Sequence, residues 1–257
     1  RVWYLDRKPS LCTGCDVGCN ITLEHRRGAI KRYKPRVNAE VNDYWMCDHG
    51  RASHERYHAL PRLSAPRVRR DGVVQAAAWK EALDLLFSVI RTKRTDGATA
   101  FLGSGFLTTE EAFLVAKLSD VVESPHRSVW VDSGPSRTIP NPAGGIAGHE
   151  AAPNRRGAEL AGLFVGAGGI DAEQLLLEGA AASCSALFVL DSDFGRAAHD
   201  PKIVERLREA RFLAVMGWAD SPLAQVADVV LPAATHAERD GTFVNVAGRL
   251  QRFDRAF

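Results

Sequence analysis

The segment "LCTGCDVGCN", residues 11–20, places Cys12, Cys15 and Cys19 within eight positions, and Cys47 follows in "WMCDHGR" after 27 intervening residues. Four of the chain's five cysteines thus fall in one small region. A chain that gathers thiols so densely folds around what they hold, because thiolates are soft ligands suited to zinc or to iron–sulfur clusters. Zinc usually draws its sulfurs from two separated Cys-x-x-Cys pairs that grip one ion. Here three come from one compact loop and the fourth stands alone. That arrangement suits a 4Fe–4S cubane, in which each cysteine binds a different iron. Gly14 and Gly18 allow the loop to close tightly with backbone N–H groups turned toward the sulfides. A zinc site and free core thiols are the alternatives on spacing alone.

Composition limits what surrounds such a site. The 257 residues are 46% hydrophobic and 25% charged, the balance of a globular protein able to bury a core. A net charge of +2 gives no case for nucleic acid or a membrane surface. The basic residues are nevertheless uneven: Arg26, Arg27, Lys31, Arg32, Lys34 and Arg36, then Arg62, Arg67, Arg69 and Arg70, crowd the first seventy positions. They read as a solvated face or a contact with other subunits. No apolar run reaches the length of a membrane span, and no signal peptide opens the chain. The start at Arg1, within the strand-like "RVWYLD", and the stop at "QRFDRAF" suggest an excerpt of a longer polypeptide. The clustered cysteines point to a metal site in a reducing compartment rather than to a disulfide framework.

Residues 1–60 read as a small, mainly β unit, with short alternating runs in "NITLE" and "AIKRY". "LPRLSAPRVRRDG" reads as a connector. From "AAAWKEALDLLFSVIRTKR" onward, Trp79, Leu83, Leu86 and Ile90 recur at helical spacing. Strands and helices then alternate. "ATAFLGSG" and "RSVWVDS" are strands flanking the helix "TTEEAFLVAKLSDVV", which Thr108 or Thr109 caps. "DAEQLLLEGAAAS" is a helix, "SALFVLDSD" a strand, and "DPKIVERLREA" a helix with Asp200 as cap and Pro201 in its first turn. "RFLAVMGW" and "VADVVLPA" are strands, and "TFVNVAGRLQRF" is a hairpin. The alternation predicts a doubly wound, mostly parallel α/β domain over 61–257, with helices on both sheet faces.

The stretch from "SLCTGC" to "WMCDHGR" resembles the amino-terminal iron–sulfur segment of the molybdopterin oxidoreductase superfamily. Within it, the likeness is to the large iron–sulfur subunit of bacterial NADH:quinone oxidoreductase (respiratory complex I). "FLTTEEAFLVAKL" and "ERDGTFVNVAGRLQRF" are similar to segments shared with molybdenum enzymes such as formate dehydrogenase, whereas "PNRRGAELAGL" is similar to a segment typical of the complex I subunit. The resemblance implies a 4Fe–4S cluster on Cys12, Cys15, Cys19 and Cys47, off the main electron route, and a pterin-free α/β domain. It implies other complex I subunits as partners, including those that oxidise NADH, and a place in the cytoplasmic, peripheral arm of a membrane-bound complex. Neither nucleic-acid binding nor direct membrane insertion is expected.

No independent catalytic site is expected either. Molybdenum relatives need a metal ligand where this chain reads "VDSGPSRTIPNPAGGIAGHE", which has no cysteine. Asp132, Ser133 and Ser136 read there as parts of a turn-rich loop. Those enzymes resemble one another in a Lys after the fourth cysteine, and here the position is His49. Cys184 reads as a buried inert thiol. "GAGG" at 166–169 reads as a turn, and "GSG" at 103–105 as a vestigial phosphate site. His25, His54, His58 and His199 read as surface residues. Two other readings are a truncated, catalytic formate dehydrogenase and a zinc-bound interaction module.

Overall fold

The computed structural model describes residues 4–93, 99–139, 146–190 and 199–257. Three antiparallel strands open it: β1 (Asp6–Leu11), β2 (Asn20–Arg26) and β3 (Ala29–Pro35). Residues 1–3 lie outside the described part, so the strand expected over "RVWYLD" is seen only from Asp6, the partner of His25. Alternation along β2 turns Ile21 and Leu23 to one face, and a bulge in the β2–β3 pairing brings both Ile30 and Tyr33 of β3 to it. Arg7, Glu24 and Arg32 stand opposite one another across the three strands. Glu24 is buried between the two guanidiniums, and its hydrogen bond from Arg32 holds its carboxyl below the usual range. A short helix, α1 (Asp48–Ala52), and a 3₁₀ turn at 53–58 complete this part.

The segment expected as a connector is instead a hairpin, β4 (Arg67–Arg70) and β5 (Val73–Ala76). Asp71 and Gly72 both adopt positive φ, 50° and 79°, the twist that a two-residue turn needs to match its strands. Then come α2 (Trp79–Lys93), β6 (Thr99–Ser104), α3 (Thr109–Val121), β7 (Arg127–Trp130), β8 (Ser133–Ile139), β9 (Ile146–Glu150) and α4 (Arg155–Leu160). They are followed by α5 (Ala172–Leu177), β10 (Ala186–Leu190), α6 (Pro201–Arg208), β11 (Leu213–Gly217), α7 (Pro222–Val226), β12 (Val229–Pro232), β13 (Gly241–Val244) and β14 (Leu250–Phe253). The seven-stranded sheet runs β5-β4-β12-β11-β10-β6-β7. Its five strands from β12 to β7 are parallel, and the β4–β5 hairpin adds an antiparallel edge. The doubly wound sheet is therefore present. Part of "SALFVLDSD", residues 191–193, lies outside the described residues.

Both faces of the sheet are covered. Phe101, Phe188, Ala214 and Val229 meet Ala82 and Leu86 of α2 and Ala112 and Val115 of α3. Leu102, Leu187, Val215 and Val230 meet Leu175 and Leu176 of α5, Val204 and Leu207 of α6, and Leu223 of α7. Helix α2 turns Ala82 and Leu86 into the core with Leu83 and Ile90 packed beside them, as the spacing predicts, and leaves Trp79 exposed. Thr108 caps α3 through a capping box with Glu111, and Asp200 caps α6. The stretch expected as a turn-rich loop holds the antiparallel pair β8 and β9, with residues 140–145 outside the described part. Gly103 and Gly105, at the end of β6, face side chains of the chain itself. A Cβ on Gly103 would stand 2.6 Å from Leu163 Cδ2, and one on Gly105 would meet Val131 and Ala152.

Candidate iron–sulfur site

Residues 11–20 form a loop that leaves β1 and returns as β2, and the Cys12 N–H donates to the Cys19 carbonyl at 2.8 Å to close it. Cys12, Cys15 and Cys19 are buried, and Cys47 is half-buried at the start of α1. All four belong to one apolar cluster with Val17, Ile21, Tyr33 and Met46. Burial pushes the Cys12 thiol up to about 12, helped by its neighbours Cys15 and Cys47. Burial likewise raises Cys19, with Cys12, Cys15 and Cys47 adding to the effect. These four thiols lie close enough to feel one another's charge in a dry site, an arrangement that disfavours four free thiolates and favours cations among them.

The loop is closed from the opposite side by α1. A Cβ on Gly50 would stand 3.1 Å from Cys12 Sγ and 3.5 Å from Cys47 Sγ, so a side chain there would crowd the Cys12 sulfur. A Cβ on Gly14 would be 3.3 Å from the Gly50 Cα. The Gly14 N–H donates to Cys12 Sγ at 3.4 Å, and the Gly50 N–H donates to Cys47 Sγ at 3.3 Å. Among the described residues, no three His, Cys, Asp or Glu side chains are grouped so as to hold a metal ion. The donor set, the dry walls and the amide donors to sulfur all fit a 4Fe–4S cluster.

The second half of the chain clamps this loop. The Asn245 Nδ2 donates to the Val17 carbonyl at 3.0 Å, and Gln251 Nε2 donates to the Gly18 carbonyl at 3.1 Å. The Val246 N–H donates to the Asp16 carbonyl, and Asp16 Oδ1 accepts from the His149 N–H at 3.0 Å. Gly18 needs its φ of 73°, and its Cα faces Gln251 and Asn245 with no room for a side chain. The segment "GTFVNVAGRLQRF" is therefore a support for the cysteine loop. "PNRRGAEL" has a related use. Asn154, fully buried, donates to the Leu107 carbonyl at 2.8 Å and accepts from the Val244 N–H at 2.7 Å. It joins the turn before α3 to the clamping hairpin, and Gly157 leaves room for its amide.

Other expected residues fall elsewhere. Cys184 is buried in the α/β core with its thiol pushed up to about 11 by burial. "GAGG" is a turn against Pro125. His58 and His199 are exposed and His54 is half-buried, but His25 is buried against the Phe257 ring at 5.0 Å, because β2 turns it to the inner face. His49 is exposed, with its ring edge beside Gly14. Sequence reasoning missed His236, which is buried with its Nε2 3.1 Å from the Tyr33 hydroxyl. Burial, with Arg239 and Arg56 nearby, lowers its pKa to about 3 and keeps it neutral. The basic run is also paired within the chain. Arg62 bonds Glu238 at 2.8 Å, Arg67 bonds Asp220 at 3.0 Å, Arg69 faces Asp228 at 3.6 Å, and Arg70 pairs with Glu81. Residues 62–70, read as a solvated face or a subunit contact, are thus paired with the chain's own acids while Arg62 and Arg70 stay partly exposed.

The family model described as the molybdopterin oxidoreductase Fe4S4 domain matches residues 5–59, and that described as molybdopterin oxidoreductase matches residues 147–257. NADH-quinone oxidoreductase subunit 3 of Thermus thermophilus is 35% identical over 126 residues, 49% of this chain and 16% of that protein. A NADH-quinone oxidoreductase subunit of Streptomyces coelicolor is 35% identical over 122 residues, 47% of this chain and 14% of that protein. A Bacillus subtilis protein named as a formate dehydrogenase is 29% identical over 113 residues, 43% of this chain and 12% of its own. The chain thus spans less than a fifth of the length of these relatives. With both family models matching and the cysteine loop inside the first of them, this chain belongs to the molybdopterin oxidoreductase superfamily, sharing about half its length with subunits of the NADH-quinone oxidoreductase type.

Proposed function

We propose that this chain is part of the large iron–sulfur subunit of an NADH:quinone oxidoreductase, and that Cys12, Cys15, Cys19 and Cys47 hold a 4Fe–4S cluster in it. The observation that carries the reading is the grouping of four cysteines, three buried and Cys47 half-buried, near enough to affect one another's charge, with the Cys12 and Cys47 sulfurs against Gly50. When bound, such a cluster supplies one-electron transfer. The chain's own contribution is to exclude water, to direct the Gly14 and Gly50 N–H groups at two of the sulfurs, and to hold the loop through Asn245 and Gln251.

The division of labour follows a boundary near residue 60, with 1–60 as the cluster domain and 61–257 as an α/β domain that binds no pterin. Packing at the end of β6 supports the second part, since Leu163, Leu107, Val131 and Ala152 occupy the space that a phosphate would need beside Gly103 and Gly105. The partners are the other subunits of the complex, including those that oxidise NADH, and the site of action is its peripheral arm. No helix among the described residues is long and apolar enough to cross a membrane.

The test is co-expression with the neighbouring NADH-oxidising subunits and a working molybdenum-cofactor pathway. Co-purification with those subunits and a denatured extract free of pterin are expected. Stoichiometric pterin with formate-dependent dye reduction would replace this reading with the dehydrogenase.

A further inference from the structure

The four sulfurs are not equally surrounded, and the difference centres on Ser53. Its hydroxyl donates to the Gly50 carbonyl at 2.8 Å, and the Cys12 thiol approaches the same oxygen at 3.9 Å. Ser53 Oγ and Cys12 Sγ therefore converge on one acceptor. The serine is held there by its place at the end of α1, and a Cβ on Gly14 would lie 3.4 Å from the Ser53 Cβ. The half-buried Ser53 thus packs on the cysteine loop itself.

We infer that Ser53 is a positioning residue that tunes the potential of the metal site, by donating its hydroxyl hydrogen bond to Cys12 Sγ. This rests on the cluster reading above. Once iron replaces the thiol proton, Cys12 Sγ carries negative charge and becomes a better acceptor than a neutral carbonyl. A rotation of Ser53 about χ1 serves either acceptor, and the Gly50 carbonyl is then relieved of its thiol neighbour. Cys12 would then receive two donors, the Gly14 N–H and the Ser53 hydroxyl. A donor to a ligating sulfur stabilises the more negative, reduced member of the couple and raises its potential. No bond in the chain forms or breaks in this step; one electron from the titrant enters the site.

The experiment is an anaerobic redox titration with dithionite and mediator dyes, followed by electron paramagnetic resonance, on the unaltered chain and on Ser53→Ala, Ser53→Thr and Ser53→Val. Thr and Val match in volume and differ in the hydroxyl, so their comparison stands even if Ser53→Ala loses its metal. The unaltered chain and Ser53→Thr should share a midpoint. Ser53→Val and Ser53→Ala should be reduced less at the same poise, by about tenfold in the reduced-to-oxidised ratio, or ~59 mV for a one-electron couple. Equal midpoints for Thr and Val, with iron and sulfide retained in both, would overturn the inference while leaving the cluster in place. Absence of iron and sulfide from the unaltered chain would instead overturn the reading on which it rests.

Discussion

Gly50 occupies a position in α1 where helix propensity alone favours alanine by about 1 kcal/mol. The site demands the opposite, because a Cβ there would stand 3.1 Å from Cys12 Sγ and 3.2 Å from Met46 Cε. Gly50→Ala should therefore lower iron content measured on the anaerobically purified chain. A second prediction concerns His236, which is buried and neutral with its pKa lowered to about 3 from an ordinary value of about 6.5. Between these values the unfolded chain binds a proton that the folded chain refuses. Stability must then rise with pH in that window and be lost as pH falls below about 6.5. Denaturant melts at pH 7 and pH 5.5 should differ less for His236→Gln than for the unaltered chain, by about 1 kcal/mol. The cysteine spacing exposed the four thiols at once, since ligand chemistry fixes which residue types can serve. His236, Asn245 and Gln251 were illegible because each acts on residues about two hundred positions away in sequence, and nothing local marks them.

At the scale of elements, alternation and capping were readable wherever a strand or helix buries a full stripe. Strand β6 is buried along its whole length, and Thr108, Asp200 and Pro201 announced the starts of α3 and α6. The failures were the elements that depend on tertiary partners. "RVRRDGVVQA" was hidden by its arginines, although Asp71-Gly72 is a strong two-residue hairpin signal. It becomes a strand because Val68 turns inward on β12 while Arg67 and Arg69 find Asp220 and Asp228. Arg69 also donates to the Gly72 carbonyl at 2.6 Å and the Gln225 carbonyl at 3.0 Å. Arg69→Glu would place a carboxylate against Asp228 and leave those carbonyls unserved, costing about 2 kcal/mol or more. Thermal melts should show the loss, while the visible spectrum of the metal site, which lies in the first sheet's loop, stays unchanged at low temperature. Weakened assembly of that variant would follow from the damaged sheet edge.

Across the whole molecule, the cysteine loop is where the two halves meet. The first sheet supplies the thiols, and the last hairpin, β13–β14, holds the loop by Asn245, Val246 and Gln251. Arg62 with Glu238 and Arg67 with Asp220 tie the segment that follows the first part to the α/β domain. This explains why a site made by residues 12–47 sits in a chain whose far end is built to receive it. Metal binding and the fold of the first part are consequently linked, since a site that needs its ligands ordered supplies folding free energy when filled. Iron and acid-labile sulfide determined together on the anaerobically purified chain, beside Cys15→Ser, test that claim most directly. The account predicts about four irons and four sulfides per chain, broad visible absorption, and loss of all three in Cys15→Ser. One zinc per chain without sulfide, or iron undiminished in Cys15→Ser, would contradict it.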